Sequence, residues 1–197
     1  MDRAFLESGS APAAARAAAE SGADIIQYRD KISSARDFLS VVLAIKDALR
    51  GSSVPLIVND RLDIALAAQV DGVHLGQDDL PASAARRLGG KDIIIGVSAS
   101  TPEEARAAEK DGADYLGAGA FFPTATKTDI RPIERLVFAD IVRSVRLPVL
   151  AIGGITAGNL SEAISAGAAG VAVISAARAG GSVSRAVGAL REALDKR

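Results

Sequence analysis

One alternation constrains this sequence more than any other feature. Seven short apolar runs, rich in β-branched residues, stand at positions 24–28, 55–58, 72–75, 93–97, 114–116, 148–152 and 170–174. Each is too short for a helix, and its apolar residues follow one another almost without interruption. That is the pattern of parallel strands buried on both faces. Helical segments separate them, at 35–50, 63–68, 82–88, 102–110, 134–144, 157–166 and 183–196. Start signals support several, as in Ser100-Thr101-Pro102-Glu103-Glu104, where hydroxyls precede proline and acids. Gly22-Ala23-Asp24, Asp71-Gly72-Val73, Gly112-Ala113-Asp114 and Gly167-Ala168-Ala169-Gly170 each close a helix and launch a strand.

Parallel strands alternating with helices fold as a doubly wound sheet or as a closed barrel. The strand–helix unit recurs about every 25 residues with no shift in composition, which favours a parallel (β/α)8 TIM barrel over residues 1–197 as a single domain. The count shows a defect. An alanine-rich segment at 11–20 reads as an eighth helix ahead of the first legible strand, and the polar residues 1–8 make no convincing strand. The expectation is a barrel lacking its first strand, with seven legible.

Composition narrows the chemistry. With no cysteine and one histidine, His74, disulfides, thiolate nucleophiles and zinc–sulfur sites are excluded. A formal net charge of −1 gives no reason to expect nucleic acid or anionic membrane as a partner. Residues 1–3 lack a secretion-signal pattern and no apolar run approaches a membrane span, so the cytoplasm is the default location. A homo-oligomer is compatible with this reading.

In such barrels chemistry sits where strands end. At Gln27-Tyr28-Arg29-Asp30-Lys31, alternation sends Gln27, Arg29 and Lys31 to one side, a set suited to a polyanion such as diphosphate or simply to a solvated basic strand end. Val58-Asn59-Asp60-Arg61 and His74-Leu75-Gly76-Gln77-Asp78-Asp79 place acids on consecutive strand ends. Two carboxylates near cations fit magnesium bridging substrate phosphates, while helix capping by Asp60 and turn formation by Asp78 or Asp79 are the plainer alternatives. His74 reads as a core or rim histidine rather than a ligand. Ser98 offers a hydroxyl to phosphate or caps the next helix. The junction at 117–129 is the longest, with glycines, Thr124, Thr126 and Lys127 as donors around Phe121-Phe122-Pro123. Gly153-Gly154 and Ile174-Ser175 stand where the seventh and eighth strands of a complete barrel would place a phosphate site. The residues thus point to a barrel holding two anionic groups, with metal-assisted transfer favoured over triad hydrolysis.

Taken together, seven motifs in order resemble the thiamine phosphate synthase (thiamine-phosphate pyrophosphorylase) family. They are Gln27-Tyr28-Arg29-Asp30-Lys31, Val58-Asn59-Asp60-Arg61, Gly72-Val73-His74-Leu75-Gly76-Gln77-Asp78-Asp79, Gly96-Val97-Ser98, Pro123-Thr124-Ala125-Thr126-Lys127, Ala151-Ile152-Gly153-Gly154-Ile155 and Val173-Ile174-Ser175. The resemblance implies a cytoplasmic, magnesium-dependent transferase that joins hydroxymethylpyrimidine diphosphate to a thiazole phosphate. Diphosphate leaves first, and the thiazole nitrogen then captures the pyrimidine cation. It assigns Gln27, Arg29, Lys31, Asn59, Ser98 and Lys127 to the diphosphate, with Arg29, Ser98 and Lys127 as catalytic candidates. Asp60 and Asp79 are implied as magnesium ligands. Thr124, Thr126 and the backbone around Gly154, Ile174 and Ser175 are implied at the thiazole phosphate. The family has a strand before the first helix, typically ending in Thr-Asp, and Met1-Asp2-Arg3 resemble the residues just after it. A thiazole tautomerase of the same barrel and an inactive phosphate-binding barrel are the rival readings.

Overall fold

The computed structural model describes residues 1–3, 10–124 and 132–196. Seven strands pair in parallel and in chain order: β1 (Ile26–Tyr28), β2 (Leu56–Asn59), β3 (Gly72–Leu75), β4 (Ile94–Ala99), β5 (Tyr115–Ala118), β6 (Val149–Ile152) and β7 (Gly170–Ala172). Around them lie α1 (Ala11–Glu20), α2 (Ala35–Ala48), α3 (Leu62–Ala68), α4 (Ala82–Gly89), α5 (Pro102–Lys110), α6 (Arg135–Ser144), α7 (Leu160–Ser165) and α8 (Val183–Asp195). Among the described residues these seven strands form one curled sheet of the TIM-barrel type.

The pleat explains where the core sits. One residue set, including Tyr28, Val58, Val73, Leu75, Ile95, Val97, Leu116 and Ala151, joins the apolar layer beneath the helices. Against it pack Phe38, Val42 and Ile45 of α2 and Phe138 and Ile141 of α6, all essentially buried. Burying each such large side chain contributes roughly 1.5–3 kcal/mol. The alternate set, Gln27, Ile57, Asn59, His74, Gly96, Ser98, Tyr115 and Gly117, stands outside that layer, on the opposite face of the pleat that lines the barrel. That inner face is rich in polar groups, unlike the outer one.

Helix starts follow the chain's capping chemistry. Ser34, Thr101 and Ser182 each accept a hydrogen bond from the backbone amide three residues on. Glu104 returns the favour by accepting from the Ser100 amide at 2.6 Å. Arg86 fastens α4 to the floor of the barrel, donating to the carbonyls of Gly90, Lys91, Ile93 and Gly112 and pairing with Asp114 at 2.7 Å.

Several boundaries differ from the sequence expectation. β4 runs on to Ala99 and β5 to Ala118, so Ser98 and Gly117 belong to strands rather than loops. α7 begins only at Leu160, because the Asn159 side chain accepts from the Thr156 amide at 2.7 Å and holds the preceding residues in a turn. A 3-10 segment, Ser175–Gly181, follows β7 and was not legible as a helix.

The opening residues do more than their polarity suggests. Asp2 forms a parallel bridge to Arg29, with Arg3 N–H donating to the Arg29 carbonyl and Arg29 N–H to the Met1 carbonyl, both at 2.9 Å. Met1-Asp2-Arg3 therefore dock beside the end of β1 through a single isolated bridge. Among the described residues β7 pairs only with β6. A small cavity of about 40 Å³, lined in part by Met1, Asp2, Ala14, Ala18, Val173 and Val183, marks the seam. Across it α1 packs on α8, and Arg191 of α8 pairs with Asp24 at 3.0 Å.

Candidate active site

The carboxyl end of β2 carries the most constrained backbone. Asp60 sits in the left-handed region at φ 64°, a conformation that aspartate tolerates better than most residues. Its N–H donates to the His74 carbonyl at 2.7 Å, and the Arg61 N–H donates to the Asn59 carbonyl. The bend throws the Asp60 carboxylate toward Lys31, 2.7 Å away at the end of β1. Asn59, buried as the last residue of β2, donates its amide to the same carboxylate. The capping alternative for Asp60 fails here: α3 starts after Arg61 with no side-chain cap.

Asp79 joins this pair from the β3 loop. Its Oδ2 accepts from the Gly76 amide at 2.7 Å, so it does form the turn expected of it. Burial raises its carboxyl above the usual carboxylate value, and the adjacent Asp60 raises it further, while the Gly76 amide and Lys31 act the other way. A carboxyl raised by burial and by an acidic neighbour is what a cation site presents before its cation arrives. Among the described residues no group of three or more acids, histidines or cysteines forms a fuller metal cage. Two oxygen donors suit magnesium, which keeps several waters and shares its remaining positions with phosphates.

Arg29 and Gln27 occupy different surroundings. The Arg29 guanidinium pairs with buried Asp2, which fixes it beside the β1 end. Gln27 stands on the inner face of the sheet, the same face as Tyr115 of β5. Tyr28 and Asp30 face the other way, as alternation requires: Tyr28 meets Phe38 edge-on at 5.5 Å, and Asp30 is buried.

Ser98 is bound from two sides. His74 Nε2 lies 3.0 Å from its hydroxyl, and Gln77 donates to its carbonyl at 2.5 Å. Helix capping is not its role, since Thr101 caps α5.

On the far side, Gly153 and Gly154 have φ of 99° and 63°. A Cβ on Gly154 would stand 2.5 Å from the Pro123 carbonyl oxygen and 2.7 Å from Phe122 Cβ. These glycines thus let residues 120–123 close over the end of β6, where Phe121 N–H donates to Ile152 O and Phe122 N–H to Gly153 O. Thr124 is half-buried at the edge of this packing. Ile174 and Ser175 open the 3-10 segment after β7, whose first amides face no earlier turn. Thr126 and Lys127 lie outside the described residues.

Sequence reasoning did not single out Tyr115 or Asp2, while His74 is a buried, hydrogen-bonded histidine as expected. The available signal was positional: Tyr115 shares the inward face with Gly117, and His74 faces inward on β3.

Comparison with known proteins shows the family. Residues 2–177 match the family described as thiamine monophosphate synthase. A thiamine-phosphate synthase of Coprothermobacter proteolyticus is 48% identical over 178 residues, 90% of this chain and 84% of that protein. One of Methanospirillum hungatei is 52% identical over 159 residues, 79% of this chain and 76% of that protein. The solved thiamine phosphate pyrophosphorylase of Pyrococcus furiosus superposes with a TM-score of 0.89 at 38% identity, covering 99% of this chain and 93% of that one. This chain belongs to the thiamine monophosphate synthase family.

Proposed function

We propose that this chain couples a hydroxymethylpyrimidine diphosphate with a thiazole phosphate, giving thiamine phosphate and free diphosphate. The observation that carries the reading is the cluster of Lys31, Asp60 and Asp79 on three consecutive strand ends. A protein that only rearranged a monophosphate would have no use for that cation and paired acids.

In this reading Gln27, Arg29, Lys31, Asn59, Ser98 and Lys127 hold the diphosphate, with Arg29, Ser98 and Lys127 acting on it as it leaves. Asp60 and Asp79 would hold magnesium, which when bound supplies positive charge against the phosphate oxygens. Thr124, Thr126 and the backbone at Gly154, Ile174 and Ser175 take the thiazole phosphate. The bond from the pyrimidine methylene carbon to the diphosphate oxygen breaks, and its electron pair leaves with diphosphate. The thiazole nitrogen lone pair then forms the new carbon–nitrogen bond. Preorganised donors stabilise the departing charge without reorganising. Residues 120–123 exclude water on the opposite side.

The test is an assay of the purified chain with both substrates and magnesium, following diphosphate release and thiamine phosphate together. Equal yields of the two products are expected. Tautomerisation of the thiazole phosphate without diphosphate release would replace this reading with an isomerase.

A further inference from the structure

His74, Gly96 and Tyr115 form one row across three strands: His74 pairs in register with Gly96, and Gly96 with Tyr115. Gly96 exists to let the two rings meet. A Cβ there would stand 2.2 Å from Tyr115 Cζ and 2.5 Å from His74 Nδ1. With that space clear, the Tyr115 hydroxyl lies 3.0 Å from Nδ1, and the other ring nitrogen, Nε2, lies 3.0 Å from the Ser98 hydroxyl. Among the described residues Nδ1 is the one hydrogen-bond partner of the Tyr115 hydroxyl. Burial pushes Tyr115 up to about 12, so the phenol keeps its proton. That proton has one direction left, toward Nδ1.

We infer that Tyr115 and His74 are positioning residues that set the direction of the Ser98 hydroxyl, through a one-way chain Tyr115 → His74 → Ser98. Tyr115 O–H donates to Nδ1, and the Nε2–H donates to Ser98 Oγ. Ser98 Oγ is thereby committed as an acceptor toward the barrel interior, and its own O–H is released to point at the mouth. A hydroxyl so fixed donates to an anionic oxygen and does not accept from a neighbour. The chain thus ties β5, β3 and β4 together on the inner face. His74 and Tyr115 are both buried, so bulk water does not set the polarity of the bond between them. The proposal rests on the coupling reading for what the hydroxyl meets, but not for the direction of the chain.

Because His74 is the only histidine, a chain carrying 15N-labelled histidine gives one pair of ring signals. The expected spectrum has a protonated Nε2 and an unprotonated Nδ1. Tyr115→Phe removes the donor to Nδ1 and is expected to shift the ring toward a mixture of tautomers, whereas Ser98→Ala leaves Nδ1 unprotonated. In the coupling assay Tyr115→Phe should lower kcat about tenfold with little change in KM, and this loss should vanish when Ser98 is already alanine. A protonated Nδ1 in the unaltered chain would overturn the proposal. So would a Tyr115→Phe loss of equal size with and without the Ser98 hydroxyl. Absence of coupling activity in the unaltered chain would instead count against the functional reading, since the tautomer is read without substrate.

Discussion

The Lys31 ammonium lies 2.7 Å from the Asp60 carboxylate, linking the end of β1 to the end of β2. Lys31 is more than half exposed, and an ion pair in that setting is worth at most about 1 kcal/mol. Stability therefore does not account for the left-handed backbone that aims Asp60 there.

Asp60→Asn separates the two roles, because asparagine also tolerates the left-handed region. Coupling should fall on the order of 100-fold, the size of loss typical for removing one electrostatic contributor to a transition state. The thermal midpoint should change little. Near-normal turnover would remove Asp60 from the site.

Asp30 makes a pH prediction. Burial alone would raise its carboxyl, but the amides of Ile32 and Ser33, the Ser33 hydroxyl and Arg3 outweigh burial and hold it below the usual value. A depressed carboxylate stabilises the fold above its unfolded pKa, and that stabilisation is lost as pH falls through the folded one. Asp30→Asn should thus cost about 1 kcal/mol near pH 7 and progressively less as the solution is acidified below about pH 4. Urea titrations at a series of pH values measure the gap; a constant gap would contradict it.

Arg86 should prove a stability residue with no part in chemistry. Replacing it by alanine strands several carbonyls at the barrel floor and should cost about 2 kcal/mol, with kcat unchanged. Lysine should restore little, since a single ammonium lacks the guanidinium's planar spread of donors. Full rescue by lysine would show that charge alone matters there.

Gly154→Ala tests the second anion pocket. The added methyl meets backbone at Pro123 and forces a left-handed alanine, so destabilisation of about 1–3 kcal/mol is expected. Displacement of residues 120–123 should raise KM for the thiazole phosphate more than for the pyrimidine diphosphate. Equal rises in both would place Gly154 away from the thiazole side.

The barrel was readable in the sequence because its strands bury the outer face under helices, so Val58, Val73, Val97 and Leu116 fall in short apolar runs. The mouth was readable for a related reason. Chemistry at strand ends interrupts those runs, and Gln27, Lys31, Asp60 and Asp79 each stand at such a break. What did not show is anything whose meaning depends on register. Gly96 looks like a weak spot in a strand until its neighbours on both sides are known to be rings. Asp2 looks like a polar tail until Arg29 is found beside it. The 3-10 turn after β7 was hidden because alanine and glycine carry no periodic signal there.

A ring of strands that is stitched all round must break somewhere to open, and every break costs a ladder of hydrogen bonds. Among the described residues the ladder runs from β1 to β7, and between β7 and the short bridge at Asp2 helices and the Arg191–Asp24 pair do the fastening. Opening can therefore begin at β7 by parting side chains alone. Amide hydrogens of β7 should exchange with solvent well before those of β3, β4 and β5, giving the barrel a graded order of unzipping in place of a single cooperative one.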